Sequence, residues 1–171
     1  MSRKHGLLAT CLMVSAVSLP IGAPLARDGR PDVKVNVVAM KEVVQRDASG
    51  RQTVTLAEAD GTSPGDTLVY QIVYSNQGTA PAHKAQVVDP IPAGTRLVAN
   101  SWNAKGAEFA VSIDGGRTFE PYPARRPERL ADGTTAMKDV ELSSYTHVRW
   151  TSTEALAPGA TRSAAFKVTV R

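Results

Sequence analysis

Two of the three histidines, a few turn-placed aspartates, a basic segment and a scatter of aromatic rings are the residues on which chemistry could rest. His83 and His147 lie far apart and lack the short spacing that metal ligands show. His147 alternates with Val148 and Trp150, which places it on the outer face of a strand. Asp60, Asp66, Asp89 and Asp114 could offer oxygens to calcium if they met at one end of a β fold. No segment has the dense alternating acids of a dedicated calcium loop, and each Asp can instead accept hydrogen bonds within its own turn. There is no Gly-x-Ser-x-Gly elbow and no phosphate-cradling glycine loop. The single cysteine is Cys11. No catalytic residue, cofactor or metal site is expected. Trp102 and Tyr122 occupy turn-like contexts, where exposed rings together would make a carbohydrate platform. The remaining candidate is an interaction loop of Arg117, Tyr122, Arg125, Arg126 and Arg129, stiffened by Pro121, Pro123 and Pro127. Its charge of +2, counting Glu120 and Glu128, would suit an acidic partner or an anionic envelope surface.

The elements that must position these residues have a period of two. In Thr67–Ser75, Leu68, Tyr70, Ile72 and Tyr74 fall on one face; near the end, Ala164, Phe166, Val168 and Val170 do the same. Shorter β-rich runs occur at 33–44, 52–56, 84–88, 96–99, 109–113 and 148–151, and no long run keeps a helical apolar stripe. Turn residues punctuate them: Pro64-Gly65-Asp66, Asn76-Gln77-Gly78 with residues that tolerate positive φ, Asp114-Gly115-Gly116 as a hairpin, and Pro158-Gly159. Asp89-Pro90-Ile91-Pro92 reads as a connection, because proline donates no N–H. Residues 121–139 read as an excursion. The pattern predicts an all-β, immunoglobulin-like sandwich of about seven or eight strands, with a small barrel as the alternative. Tyr70, Ile72, Tyr74, Trp150 and Phe166 are its expected core.

The first 26 residues stand apart. Arg3 and Lys4 precede an uncharged run from Gly6 to Ala26, broken by Pro20, Gly22 and Pro24. That is the order of a secretory signal, with Ala26 as its last residue, and the unbroken part is too short for the ~20 residues of a spanning helix. Leu8-Ala9-Thr10-Cys11 only faintly matches a lipoprotein box. Residues 27–171 then form a single domain, exported to the periplasm or cell surface, with no membrane span after cleavage. The whole chain of 171 residues carries +4; without Arg3 and Lys4, 18 basic residues face 16 acidic ones, a net +2. No basic run interleaved with aromatics is present, so nucleic acid is not an expected partner. The exported chain has no cysteine, which excludes thiol catalysis there.

Three stretches carry a family resemblance: Pro64-Gly65-Asp66-Thr67-Leu68-Val69-Tyr70, Tyr74-Ser75-Asn76-Gln77-Gly78-Thr79-Ala80, and Val88-Asp89-Pro90-Ile91-Pro92-Ala93-Gly94-Thr95. With Ser112–Gly116, Thr146–Trp150 and Leu156–Ala160, they resemble the bacterial domain of unknown function eleven, found in surface and secreted proteins and often in tandem. The resemblance spans roughly Val33 to Arg171, in one copy, without a wall-sorting tail. It implies an immunoglobulin-like sandwich in an extracytoplasmic protein with an adhesive, structural or assembly role, and no catalytic residues; the missing wall-sorting tail favours the periplasm or exterior of a Gram-negative cell. The expected function is non-catalytic contact with an envelope or surface protein. The alternative is a carbohydrate- or calcium-binding, or enzymatic, periplasmic domain.

Overall fold

Alternation of apolar and polar residues makes the two ten-residue strands that pair at the centre of the larger sheet. The computed structural model describes residues 29–103 and 106–171, so the signal-peptide expectation lies outside the described residues. Among these residues the chain forms β1 (Val33–Arg46), β2 (Gln52–Glu58), β3 (Thr67–Asn76), β4 (Gln86–Pro90), β5 (Thr95–Leu97) and β6 (Ala107–Ser112). It continues with β7 (Glu120–Pro121), β8 (Arg125–Arg129), β9 (Thr135–Asp139), a 3-10 turn (Leu142–Ser144), β10 (His147–Ser152) and β11 (Thr161–Val170). One antiparallel sheet runs β2-β1-β3-β11-β5, a second runs β4-β10-β6-β7, and β8-β9 stand as a separate ribbon. Neither main sheet closes on itself. The fold is all-β and open, consistent with a sandwich and not with the barrel alternative.

Register places the apolar faces together. Tyr70 opposes Phe166, Ile72 opposes Ala164 and Leu68 opposes Val168 across β3 and β11. On the second sheet Val148 opposes Val111, and Trp150 opposes Val87 and Phe109. Side chains from both sheets merge into one core in which Ile72, Leu97, Val111, Val148, Phe166 and Val168 are fully buried. Of the five expected core residues, Ile72, Tyr74, Trp150 and Phe166 are buried, and Tyr70 packs half-buried at its margin.

Seven of the nine aromatic rings form one continuous chain. Tyr70 stacks on Phe166 at 5.0 Å between centroids, Phe166 meets Trp150 at 5.8 Å, and Trp150 meets Phe109 at 5.3 Å. The chain continues through Trp102 at 4.4 Å and Tyr122 at 4.3 Å to Tyr145 at 5.7 Å. Trp102 and Tyr122 are therefore packed together and half-buried, and do not form the exposed platform that their turn-like contexts allowed. Edge-to-face and offset contacts of this kind add to area burial.

Three turn expectations are corrected. Asp89 is not in a connection: it belongs to β4, faces Val148, and is buried. Pro90 ends that strand at the sheet margin, where a missing N–H costs no ladder bond. The second arm of the Asp114 hairpin begins at Glu120, because Asp114 accepts hydrogen bonds from Arg117 N, Thr118 N and Thr118 Oγ1 and so holds a wider loop. Asn76 and Gly78 adopt negative φ. Gly78 is required by crowding: a Cβ there would sit 2.2 Å from the Arg30 carbonyl oxygen.

Candidate interaction site

The expected basic loop is a regular ribbon with most of its charge answered. Arg125 pairs with Asp139 at 2.8 Å, Lys138 with Glu128 at 3.0 Å, and Arg126 with Glu120. The Arg126 guanidinium holds the Glu120 carboxyl below its usual range, and Glu120 in turn raises Arg126. Arg117 and Arg129 are exposed and have no ion-pair partner among the described residues. Tyr122 is spent on packing. The ribbon is anchored at its base by Ala124, 1% exposed, whose N–H donates to Tyr145 Oη at 3.1 Å.

The acidic residues do not converge. Among the described residues, no group of three or more His, Cys, Asp or Glu side chains is placed to hold a metal ion. Asp66 accepts from Ser63 N at 2.7 Å and pairs with Lys41 at 2.8 Å, which lowers its pKa. Asp114 is driven far down by hydrogen bonds from Thr118 and Ser112. Asp89 behaves in the opposite way. Burial pushes its carboxyl up, His147 only partly offsets this, and Oδ2 has no hydrogen-bond partner. His147 lies on the outward face as expected, half-buried beneath Gly116, where a Cβ would come within 3.3 Å of the ring.

A shallow recess on the outer face of the second sheet holds Arg149, whose guanidinium carbon lies 4.4 Å from the Phe119 ring centroid. Its Nε is buried without a partner, while Glu108 and Glu120 line the same recess.

The sharpest surface feature is one that motif reading passed over, the margin formed by β1 and β2. β1 pairs with β3 only over Val33–Lys41 and with β2 only over Met40–Arg46. Its second half and β2 therefore extend beyond the sandwich as a two-stranded ribbon. All seven residues of β2 are exposed. On the outward face Val44 opposes Val54 and Glu42 opposes Leu56; Val54 remains 55% exposed and Leu56 41%. Val35, Val37 and Val38 of β1 are exposed as well.

Native edges are blunted by shortness, proline or charge. Here β5 has three residues, β7 has two including Pro121, β4 ends in Pro90, β8 contains Pro127 between Arg126 and Glu128, β9 carries Lys138 and Asp139, and the one-sided stretch Val33–Ala39 of β1 carries Lys34. β2 has none of these within Thr53–Ala57. The signal available in the sequence was the run Val54-Thr55-Leu56 with no proline or charge, but only topology reveals that it is an edge. No family model, no curated protein and no solved structure matches this chain.

Proposed function

We propose that this protein is a non-catalytic, exported contact module, binding an envelope or surface protein through a sheet edge rather than through a pocket. The reading includes the resemblance to domain of unknown function eleven and the export implied by residues 1–26. One observation carries it: β2 is a seven-residue, fully exposed edge with exposed apolar residues and neither proline nor charge within Thr53–Ala57, whereas the one-sided stretch of β1, Val33–Ala39, carries Lys34 and the remaining margins are short, proline-bearing or charged. An extended partner strand adding to such an edge gains main-chain hydrogen bonds, with side chains setting specificity. The arginine ribbon, with its charge largely paired internally, is a weaker candidate than the loop reading made it.

The test is cross-linking and capture from envelope extract with the purified protein and two variants. Val54→Lys with Leu56→Lys should abolish capture, and Arg125→Ala with Arg126→Ala should leave it. Capture that survives the β2 change and is lost with the arginine change would transfer the site to the ribbon.

A further inference from the structure

The partner that β2 fits best by symmetry and charge is another β2. We infer that two copies of this chain associate through their β2 edges, antiparallel, about a two-fold axis at Thr55. The inference rests on the contact-module reading for its site and adds the identity of the partner and the register.

Backbone geometry comes first. Asp47 N donates to Arg51 O at 3.0 Å, which closes the β1–β2 ribbon with a hydrogen-bonded pair. Alternation along the register then turns the N–H and C=O groups of Thr53, Thr55 and Ala57 toward β1. Those of Gln52, Val54, Leu56 and Glu58 point to the open side. A two-fold axis perpendicular to the sheet keeps equivalent faces together, so it must pass through a residue. At Thr55 it sets Val54 opposite Leu56 and Gln52 opposite Glu58 of the second copy. Every outward-pointing group of the strand then has a partner. Moving the axis by one residue, to Val54 or Leu56, sets an apolar side chain against Gln52 or Glu58 instead.

Charge selects the same register. Arg46 lies beside Gln52 on the outward face; with the amide oxygen turned toward it, Gln52 accepts from Arg46 Nη2 at 2.7 Å. In the dimer, Glu58 of the second copy stands on the far side of Gln52, two strand spacings or roughly 9–10 Å from the Arg46 backbone. The protein already bridges that span once. Glu42 on β1 and Lys167 on β11, separated by β3, form an ion pair. Two symmetric Arg46–Glu58 pairs would therefore flank a centre built from Val44, Val54 and Leu56 of each copy. An isologous patch of this kind closes as a dimer and does not propagate.

Sedimentation equilibrium from micromolar to millimolar protein reads the association directly. The mean mass should rise toward twice the monomer, as expected for a small, weak interface. Arg46→Glu and Glu58→Arg should each weaken the dimer about tenfold, since each sets like charges together twice. Mixing the two variants should restore association, because only the mixed pair has opposite charges at both contacts. Val54→Pro removes an N–H that points outward, so it should abolish the dimer while the melting temperature holds.

A chain that stays monomeric throughout, or a dimer indifferent to both charge changes, overturns the inference. If the protein is monomeric and the Val54→Lys, Leu56→Lys variant still loses envelope capture, the second copy is wrong and the contact reading stands. If the charge-swapped mixture associates while capture never depended on β2, the dimer stands and the heterotypic reading falls.

Discussion

Asn76 is fully buried and every hydrogen-bonding position on its amide is used. Its Oδ1 accepts from Asp32 N and Gly78 N, and its Nδ2 donates to the carbonyls of Ala80 and Leu156. Two of those partners are 44 and 80 residues away, so the sequence showed a turn residue where the fold needs a hub. Asn76→Leu removes all four bonds, three of them part-buried, and leaves the Leu156 carbonyl its bond from Ala82 N; it should lower stability by about 1–3 kcal/mol in denaturant unfolding. Asp89→Asn tests the opposite case, a charge held at a loss. The folded protein binds the Asp89 proton more tightly than the unfolded chain, whose ordinary value is 3.8. This site's contribution is full below that value and is lost as pH rises through the raised folded value. The Asn variant should melt higher than the parent at about pH 7, with the gap closing as pH falls toward about 4. Asp66 and Asp114, held down by their turns, contribute in the reverse sense and are common to both proteins.

At the scale of elements, strands with one face on the core were legible, and so was the fully exposed β2 through its β-rich run at 52–56, but β8 and β9 were not. β3 and β11 follow their period-two patterns to within a residue or two, because burial on one side imposes the alternation. β8 and β9 have no buried face; with all ten residues exposed, nothing in their sequence had to alternate. Their ribbon depends on its base, where Ala124 N–H finds the Tyr145 hydroxyl. Tyr145→Phe keeps the ring packed against Tyr122 but orphans that N–H, so it should cost about 1–3 kcal/mol. Arg125→Ala with Arg126→Ala breaks only exposed pairs and should move the melting temperature by no more than about 2 °C.

Across the whole molecule, the sandwich is held by rings that connect its two sheets. Trp150, 1% exposed, touches Phe166 of the opposite sheet and Phe109 of its own, and its Nε1 donates to Asn103 O at 2.8 Å. Trp150→Ala should cost about 3–5 kcal/mol, and Tyr70→Ala distinctly less because that ring sits at the core margin. Denaturant unfolding of the two variants side by side checks the order. The core was readable residue by residue, since burial needs only the right face. The interaction surface was not, since an edge exists only once strand order is known, and β2 looks like any other strand until its neighbour is found on one side alone.

The divided pairing of β1 also has a consequence in time. Only Met40 and Lys41 are paired on both sides, so the ribbon beyond them can separate from its own mate without disturbing β3 or β11. In deuterium, amides of Thr53, Thr55 and Ala57 should exchange through this local opening, orders of magnitude faster than those of Ile72 and Phe166, which must await collapse of the whole sandwich. Association through β2 would slow the first set and leave the second unchanged, making the fast amides a clock for occupancy of the edge.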